Sequence, residues 1–270
     1  MLNRPVTETQ VTHGDRLWLY AVVALVAIFL VVPCLLVVPM SVSASEYLEF
    51  PPRELSLRWY RAFLGSPEWI GALWTSIKVA VPVTLIATLL GTAAAWGLHR
   101  RFGPLFSLTR GLYLLPMLVP LILIAVGVFF VYARLGINGT IVGLILAHTM
   151  LALPFVLIAV GNGLGSFDMD QHRVARSLGA GELTAFLTVT LPQIRISVLS
   201  GVVFAFVTSF DEVVVALYIS SGANETLTRR MFANIRDQVD PTVAAISSLL
   251  VGVVVIGMTL FVVLRREESR

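Results

Sequence analysis

Apolar and polar residues alternate along this 270-residue chain in long blocks, not in the short periods of amphipathic helices or strands. Six apolar runs cover 17–42, 79–98, 111–133, 140–162, 196–220 and 242–264. Each is long enough to cross a bilayer, whose hydrocarbon core of about 30 Å takes about 20 residues at about 1.5 Å each. Five of the six carry no acidic or basic side chain other than a histidine; the fifth in order is interrupted by Asp211-Glu212. The pattern predicts an all-α membrane protein with six transmembrane helices in a single domain over 1–270. An even number of spans puts both termini on one side. Residues 1–16 are polar, and the run that follows is far longer than a signal-peptide core, so it reads as a retained first span.

The polar stretch 168–192, between the fourth and fifth runs, has local order. Asp168 and Gln171 form an Asp-x-x-Gln start that can cap a helix reciprocally. Gly179 falls where a helix stop needs positive φ without steric cost. A second helical run follows from Glu182 until Pro192 opens the next apolar block, where its missing N–H does no harm. A helix–glycine–helix element outside the lipid predicts a partner that it is presented to.

Three other segments lie outside the spans. The stretch 43–71 contains Phe50-Pro51-Pro52 and the amphipathic Leu57-Arg58-Trp59-Tyr60, whose aromatics suit a helix at the membrane interface. The stretch 99–107 is a short basic turn. The stretch 222–240 reads as an amphipathic helix with Leu227, Met231, Ile235 and Val239 on one face, after which Asp240-Pro241 caps the last span.

Composition agrees with a membrane class: 57% of residues are hydrophobic and 13% charged, where a soluble domain carries about 25% charged. Orientation follows from Lys and Arg near span ends. With a cytosolic N-terminus, that side holds Arg4, Arg16, Arg100, Arg101, Arg110, Arg173, Arg176, Arg195, Arg265, Arg266 and Arg270, eleven in all, against seven on the other side (Arg53, Arg58, Arg61, Arg134, Arg229, Arg230, Arg236). This predicts cytosolic N- and C-termini, a cytosolic 1–16 segment and a cytosolic 168–192 element. The basic pI reflects that anchoring; no basic helix or aromatic-basic array points to nucleic acid.

Catalytic patterns are lacking. The one lysine, Lys78, excludes a Gly-x-x-x-x-Gly-Lys phosphate loop. Its place near the outer end of the second span suits a snorkelling side chain. The four histidines, His13, His99, His148 and His172, show no His-Glu-x-x-His spacing, and no Gly-x-Ser-x-Gly elbow occurs. His148, within the fourth span, reads as a hydrogen-bonded interhelical residue in preference to a ligand. Cys34 is alone, so cysteine metal sites and internal disulfides are excluded. Asn138-Gly-Thr140 and Asn224-Glu-Thr226 match the glycosylation pattern and read as coincidence in a bacterial-type chain. No catalytic residue, metal ligand or cofactor is assigned to this chain.

The exception within the apolar runs is Ser209-Phe210-Asp211-Glu212. On a continuous helix from Ile196, Asp211 lies roughly 22 Å along the axis, inside the hydrocarbon layer. An acidic side chain there costs on the order of 2.5–3.5 kcal/mol on insertion scales. Two in a row call for a water-filled path, a partner chain or a basic residue. The candidates for a substrate path are therefore Asp211, Glu212, Ser209, Thr208 and Tyr218, with Asp211 ahead of Glu212. The competing reading is a structural pair that bonds helix ends or Lys78.

The loop carries a family resemblance. Arg173-Val174-Ala175, then Gly179, then Val189-Thr190-Leu191-Pro192 resembles the EAA loop of bacterial ABC-importer permeases, Glu-Ala-Ala-x-x-x-Gly-x9-Ile-x-Leu-Pro, with both long spacings kept. The stretches 209–221 and 226–245, including Thr228-Arg229-Arg230-Met231-Phe232 and Ile235-Arg236-Asp237, resemble the polyamine (spermidine/putrescine) branch. The likeness runs over essentially the whole chain. It implies a type I ABC importer permease fold in a bacterial inner membrane, with 168–192 as a cytosolic coupling loop that docks on an ATPase through Arg173, Ala175, Arg176, Ser177, Leu178, Gly179 and Pro192. The implied partners are a second homologous permease subunit, two ATPase subunits that hold ATP and Mg, an external substrate-binding protein and the lipid bilayer.

Two departures qualify the likeness. The family's lead Glu and Ala are Arg173 and Val174 here, a charge reversal on the docking helix. After the proline of the third span, where spermidine-type members often carry an acid, this chain has Val119-Pro120-Leu121. A smaller amine or zwitterion, such as γ-aminobutyrate or an opine-like amino-acid derivative, is the alternative cargo. A stand-alone secondary transporter would instead call for internal repeats and broken helices with midplane charges; no repeat between the halves is visible.

Overall fold

A computed structural model of the chain describes residues 16–100 and 103–268. Arg4, His13, Arg101 and Arg270, together with nearly all of the 1–16 segment, lie outside the described residues. The helices are, in order, α1 Leu17–Ser41, α2 Arg58–Gly65, α3 Pro67–His99, α4 Pro104–Leu118, α5 Leu121–Leu135, α6 Ile141–Ser166, α7 Met169–Ser177, α8 Glu182–Ala185, a π-helical turn Phe186–Thr190, α9 Leu191–Gln193, α10 Arg195–Phe210, α11 Val214–Ile219, a 3-10 turn Gly222–Asn224, α12 Leu227–Asp237 and α13 Thr242–Glu268. Among the described residues the only β pairing is an isolated bridge, Ser43 to Leu55. The fold is thus all-α.

The apolar runs become helices, but two of them are not continuous. α1, α3 and α6 are each long and apolar enough to cross a membrane. The third run divides into α4 and α5, bent by 100° across Val119-Pro120. Pro120 has no N–H to continue α4 and disfavours helical geometry at Val119, which is extended at ψ 133°. The fifth run stops at Phe210 and resumes at Val214. Its N-terminal side is bent too: the 182–193 segment meets α10 at 80° across Ile194. Against the six spans expected, the described residues hold three helices long and apolar enough to cross a membrane, or up to five if each bent pair is one span. Hydropathy misses the breaks because apolar side chains continue through them.

The described residues form two compact units, one within 1–66 and 234–270 and one within 67–233. In the first, α13 packs along α1 and against α2. The loop before α2 is tied by Ala44 N–H to Glu54 O (2.9 Å), Ser56 N–H to Val42 O (2.7 Å) and Trp59 Nε1–H to Ser45 O (3.1 Å). Arg58 donates to Ala44 O and lies over the Trp59 ring, so the interfacial stretch is a folded loop-and-helix. α1 exposes nearly its whole apolar surface, as a helix bathed in lipid would.

In the second unit, α3, α6 and α10 make the core. Small residues let these helices approach closely, the arrangement favoured where lipid removes a hydrophobic incentive to associate. Val156 of α6, fully buried, faces two glycines. A Cβ on Gly91 of α3 would sit 2.7 Å from Val156 Cγ1, and one on Gly201 of α10 would sit 3.2 Å from the same atom. One valine therefore fills the space that two glycines leave.

α12 starts by donating Leu227 N–H to Ser76 Oγ of α3 (2.9 Å). Of its anticipated apolar face, Leu227 is buried while Ile235 is 49% exposed. Val239 lies beyond the helix with φ +52° and is not part of that face. The sequon amides are already engaged: Asn138 Nδ2 donates to Phe129 O, and Asn224 Nδ2 to Gly139 O at 2.7 Å.

Candidate functional site

The acid pair sits at the break between α10 and α11, and the break separates the fates of its two carboxylates. Asp211 is the C-terminal cap position of α10, its N–H bonded to Val207 O at 2.9 Å, and its side chain is exposed. Glu212 is 6% exposed. Its Oε1 accepts from Val215 N–H at 2.7 Å and its Oε2 from Ala216 N–H at 2.8 Å. A new helix leaves its first N–H groups without intrahelical partners, and a carboxylate there satisfies them and meets the positive end of the dipole. Glu212 is therefore the N-terminal anchor of α11. The Glu212 carbonyl in turn accepts from Thr228 Oγ1 of α12 at 3.0 Å.

α6 holds the other side of the break. His148, fully buried, places Nδ1 3.1 Å from both Ser209 O and Ser209 Oγ, and Nε2 3.5 Å from Glu212 Oε2. The expectation of a hydrogen-bonded interhelical histidine holds. Of the two partners foreseen for a structural acid pair, the helix end is taken by Glu212, whereas Lys78 lies exposed on α3.

Thr208, Asp211 and Glu212 line a cavity of about 590 Å³ with Pro116, Met117, Val119, Leu121, Leu151, Phe155, Val207, Val213 and Val214. It lies where both broken spans come together. Ser209 faces His148 and does not line it. Tyr218 is 40% exposed and is not in the lining either. The walls are mostly apolar, with one exposed carboxylate presented to the opening. Among the described residues no group of three or more His, Cys, Asp or Glu is placed to hold a metal ion.

The 168–192 element is a helix–glycine–helix as its sequence predicts, with one change at the start. Asp168 Oδ1 caps α7 by accepting from Asp170 N–H at 3.0 Å. The Gln171 side chain does not return the bond; its Oε1 accepts from Gln193 Nε2. Gly179 has φ +95°. Ala180 N–H reaches Ala175 O (3.2 Å) and Gly179 N–H reaches Arg176 O (3.0 Å), the paired bonds of a Schellman stop. Pro192 follows the π turn, whose wider winding makes room for a ring that would crowd the carbonyl four residues earlier.

α7 presents Arg173, Arg176, Ser177 and Leu178 outward, with Ala175 half-buried. Leu178 is 83% exposed and Val174 56%, an apolar pair four residues apart on one helix face. Arg173 Nη1 pairs with Asp170 Oδ1 at 2.6 Å, both side chains largely exposed. The charge reversal is thus balanced within α7 itself. The three-residue spacing was a legible signal for that pair. Nothing in the sequence linked His148 to Ser209, which is 61 residues away.

Long apolar spans, two broken ones meeting at a cavity with an acid pair on its wall and an exposed helix–glycine–helix insertion define a transport permease. The chain belongs to the family of binding-protein-dependent transport system inner membrane components, whose model matches residues 87–268. It is an ABC importer permease, a non-catalytic class of subunit. It is 28% identical over 223 residues to the spermidine/putrescine transport system permease protein PotC of Haemophilus influenzae, covering 83% of this chain and 86% of that one. Identity to the putrescine transport system permease protein PotI of Escherichia coli K12 is also 28%, over 266 residues and 94% and 92% of the two chains. The molybdenum transport system permease protein ModB of Mycobacterium bovis is 31% identical over 207 residues, 72% of this chain and 78% of that one. In a crystal structure of a bacterial ABC transporter involved in the import of the acidic polysaccharide alginate, one chain superposes with TM-score 0.71 at 13% identity, covering 97% of this chain and 99% of that one. That likeness gives the type I importer permease fold.

Proposed function

We propose that this chain forms half of the translocation path of an ATP-driven importer for a small organic amine of the spermidine/putrescine kind. The observation that carries the reading is Asp211, an exposed carboxylate at a break in a membrane-embedded helix, facing a cavity with otherwise mostly apolar walls. An ammonium group entering that cavity meets one full negative charge in low dielectric, while the apolar walls suit its methylene chain. The path must hold cargo weakly enough to release it, which a single free carboxylate suits better than a cage. The PotC and PotI relatives support this cargo class. The lack of an acid at Val119-Pro120-Leu121, of which Val119 and Leu121 line the cavity, keeps γ-aminobutyrate or an opine-like amino-acid derivative as the second reading.

In this proposal α7 is the coupling helix. Its exposed Val174 and Leu178 form an apolar face that an ATPase groove would cover, with Arg173, Arg176 and Ser177 around it and Gly179 and Pro192 setting the angles of the flanking chain. A second related permease completes the path. ATP and Mg belong to two separate ATPase subunits, and an external binding protein delivers cargo. Both termini lie on the cytosolic side with α7. Two measurements test the reading. A tagged copy purified from its own membranes should carry an ATPase subunit. Cells that have the importer should take up labelled putrescine or spermidine, and cells that lack this chain should not. Uptake of γ-aminobutyrate with no response to either polyamine would move the assignment to the second reading, and an ATPase-free chain that still transports would overturn both.

A further inference from the structure

The 168–192 element contains a charge cluster, away from the cavity, that shares only Arg176 with the exposed face of α7. Glu182, at the start of α8, gathers three basic side chains. Its Oε1 accepts from Arg100 Nη1, just past the end of α3, and lies 3.2 Å from His172 Nε2 of α7; its Oε2 takes Arg176 Nη1 of α7 at 2.9 Å. His172 is 2% exposed although it belongs to a largely exposed helix, and its Nδ1 lies 3.0 Å from Thr190 Oγ1 at the end of the π turn. Trp96 of α3 meets the His172 ring edge-on at 4.9 Å and packs on Phe186 at 4.8 Å, with the Arg100 guanidinium 5.2 Å over its own ring.

We propose that Glu182 is a positioning residue, the joint through which displacement of α7 reaches α3 and, by way of His172 and Thr190, the segment leading into α10. The proposal rests on the reading of α7 as the ATPase-contacting helix. The covalent link from α7 to α8 is Leu178-Gly179-Ala180-Gly181; the Schellman bonds tie Gly179 and Ala180 back to α7, and Gly181 leaves the junction with α8 compliant. A compliant link transmits little force. The lateral connection is made instead by one carboxylate shared between two elements and by an imidazole buried against Trp96, beside the exposed Gln193-to-Gln171 side-chain bond. An isolated half-exposed ion pair contributes little; a carboxylate that bonds three donors from two elements fixes their relative position as a network.

The complete importer, with its ATPases and binding protein in liposomes, tests the joint through Glu182→Gln and Arg100→Gln. Each variant is expected to retain its ATPase subunits at wild-type stoichiometry while cargo imported per ATP hydrolysed falls about five- to tenfold, the size of a typical coupling between sites. Glu182→Asp should recover part of the loss, and the double variant should be no worse than Glu182→Gln alone. A purely structural role would lower assembly and uptake in proportion and leave the ratio untouched. An unchanged ratio in both single variants overturns the proposal; should Glu182→Gln fail to assemble, Arg100→Gln decides. Gly179→Pro is the control for the underlying reading. If it uncouples while the Glu182 and Arg100 variants keep a normal ratio, the joint alone is wrong. If it transports normally, docking through α7 falls and the joint with it.

Discussion

His148 Nε2 lies 3.5 Å from Glu212 Oε2 in the core of the 67–233 unit, while the same ring's Nδ1 lies 3.1 Å from Ser209. One imidazole on α6 therefore spans the break between α10 and α11, touching the last turn before it and the cap after it. This geometry assigns the two acids different jobs. Glu212 satisfies helix N–H groups and is buried; Asp211 is left free to face the cavity.

Loss of the Glu212 cap should destabilise the chain. Glu212→Ala strips two N–H groups of their acceptor in a buried place, at about 1–3 kcal/mol. Glu212→Gln keeps one oxygen acceptor and should cost less. Thermal unfolding of the detergent-solubilised importer should rank wild type above Gln above Ala. Equal midpoints for all three would mean that α11 does not depend on this cap.

Asp211→Asn should spare stability and reduce transport. The side chain is exposed and no helix end depends on it, so assembly should match wild type within about 0.5 kcal/mol, as for surface changes away from special features. Uptake of a cationic cargo should fall, with the larger effect on apparent affinity, because the lost term is attraction of an ammonium group. Normal uptake by a fully assembled Asp211→Asn, Glu212→Gln double variant would remove the pair from the path.

At Gly179 the backbone φ of +95° excludes a β-branched residue without rearrangement. Gly179→Val should cost about 1–3 kcal/mol of local strain and misdirect the chain after α7. ATPase activity and uptake measured on the same preparation should then separate, with hydrolysis continuing and import lost. Retention of both would show that the glycine only ends a surface helix.

Arg173→Glu should have little effect on assembly. Its partner Asp170 is as exposed as it is, and surface pairs are typically worth about 0–1 kcal/mol. The change does place two acids three residues apart, so a slight loss of α7 helicity is expected. Abolished assembly would mean that the ATPase groove reads this charge directly.

Gly91→Ala brings a methyl group to within 2.7 Å of Val156 and should destabilise the core by about 1–3 kcal/mol as overpacking. Val156→Ala in the same chain should restore part of that loss by vacating the space. Additive losses in the double variant, measured by thermal unfolding, would show that the two helices do not meet at this point.

How much of this was legible depended on the range of the interaction. Uncharged runs long enough to cross a bilayer located α1, α6, α13 and the C-terminal part of α3, which starts at Pro67, well before the 79–98 run, because their length and composition are local properties. Asp168, Gly179 and the Asp240-Pro241 start of α13 were legible for the same reason: capping acts within four residues. The breaks at Val119-Pro120 and at 211–213 were not read as breaks, since hydropathy averages across them, although Pro120 carried the signal for the first. The pairings of His148 with Ser209 and of Arg100 with Glu182 cross 61 and 82 residues. No periodicity in one sequence encodes them. Of the five residues named for a substrate path, Thr208, Asp211 and Glu212 line one cavity, whereas Ser209 and Tyr218 are not in its lining.

Val156, wedged between Gly91 and Gly201, carries a consequence for how the molecule changes shape. A side chain interlocked with two neighbours at once lets neither α3 nor α10 slide along α6 without first withdrawing from both grooves. The three helices are thereby geared into a single plate. If the permease alternates between outward- and inward-facing forms, the rotation has to be absorbed at the plate's margins: at Val119-Pro120, at Ile194 and at the three residues between α10 and α11. Amide hydrogen exchange recorded through the transport cycle should light up at those margins while the interior of the plate stays dark.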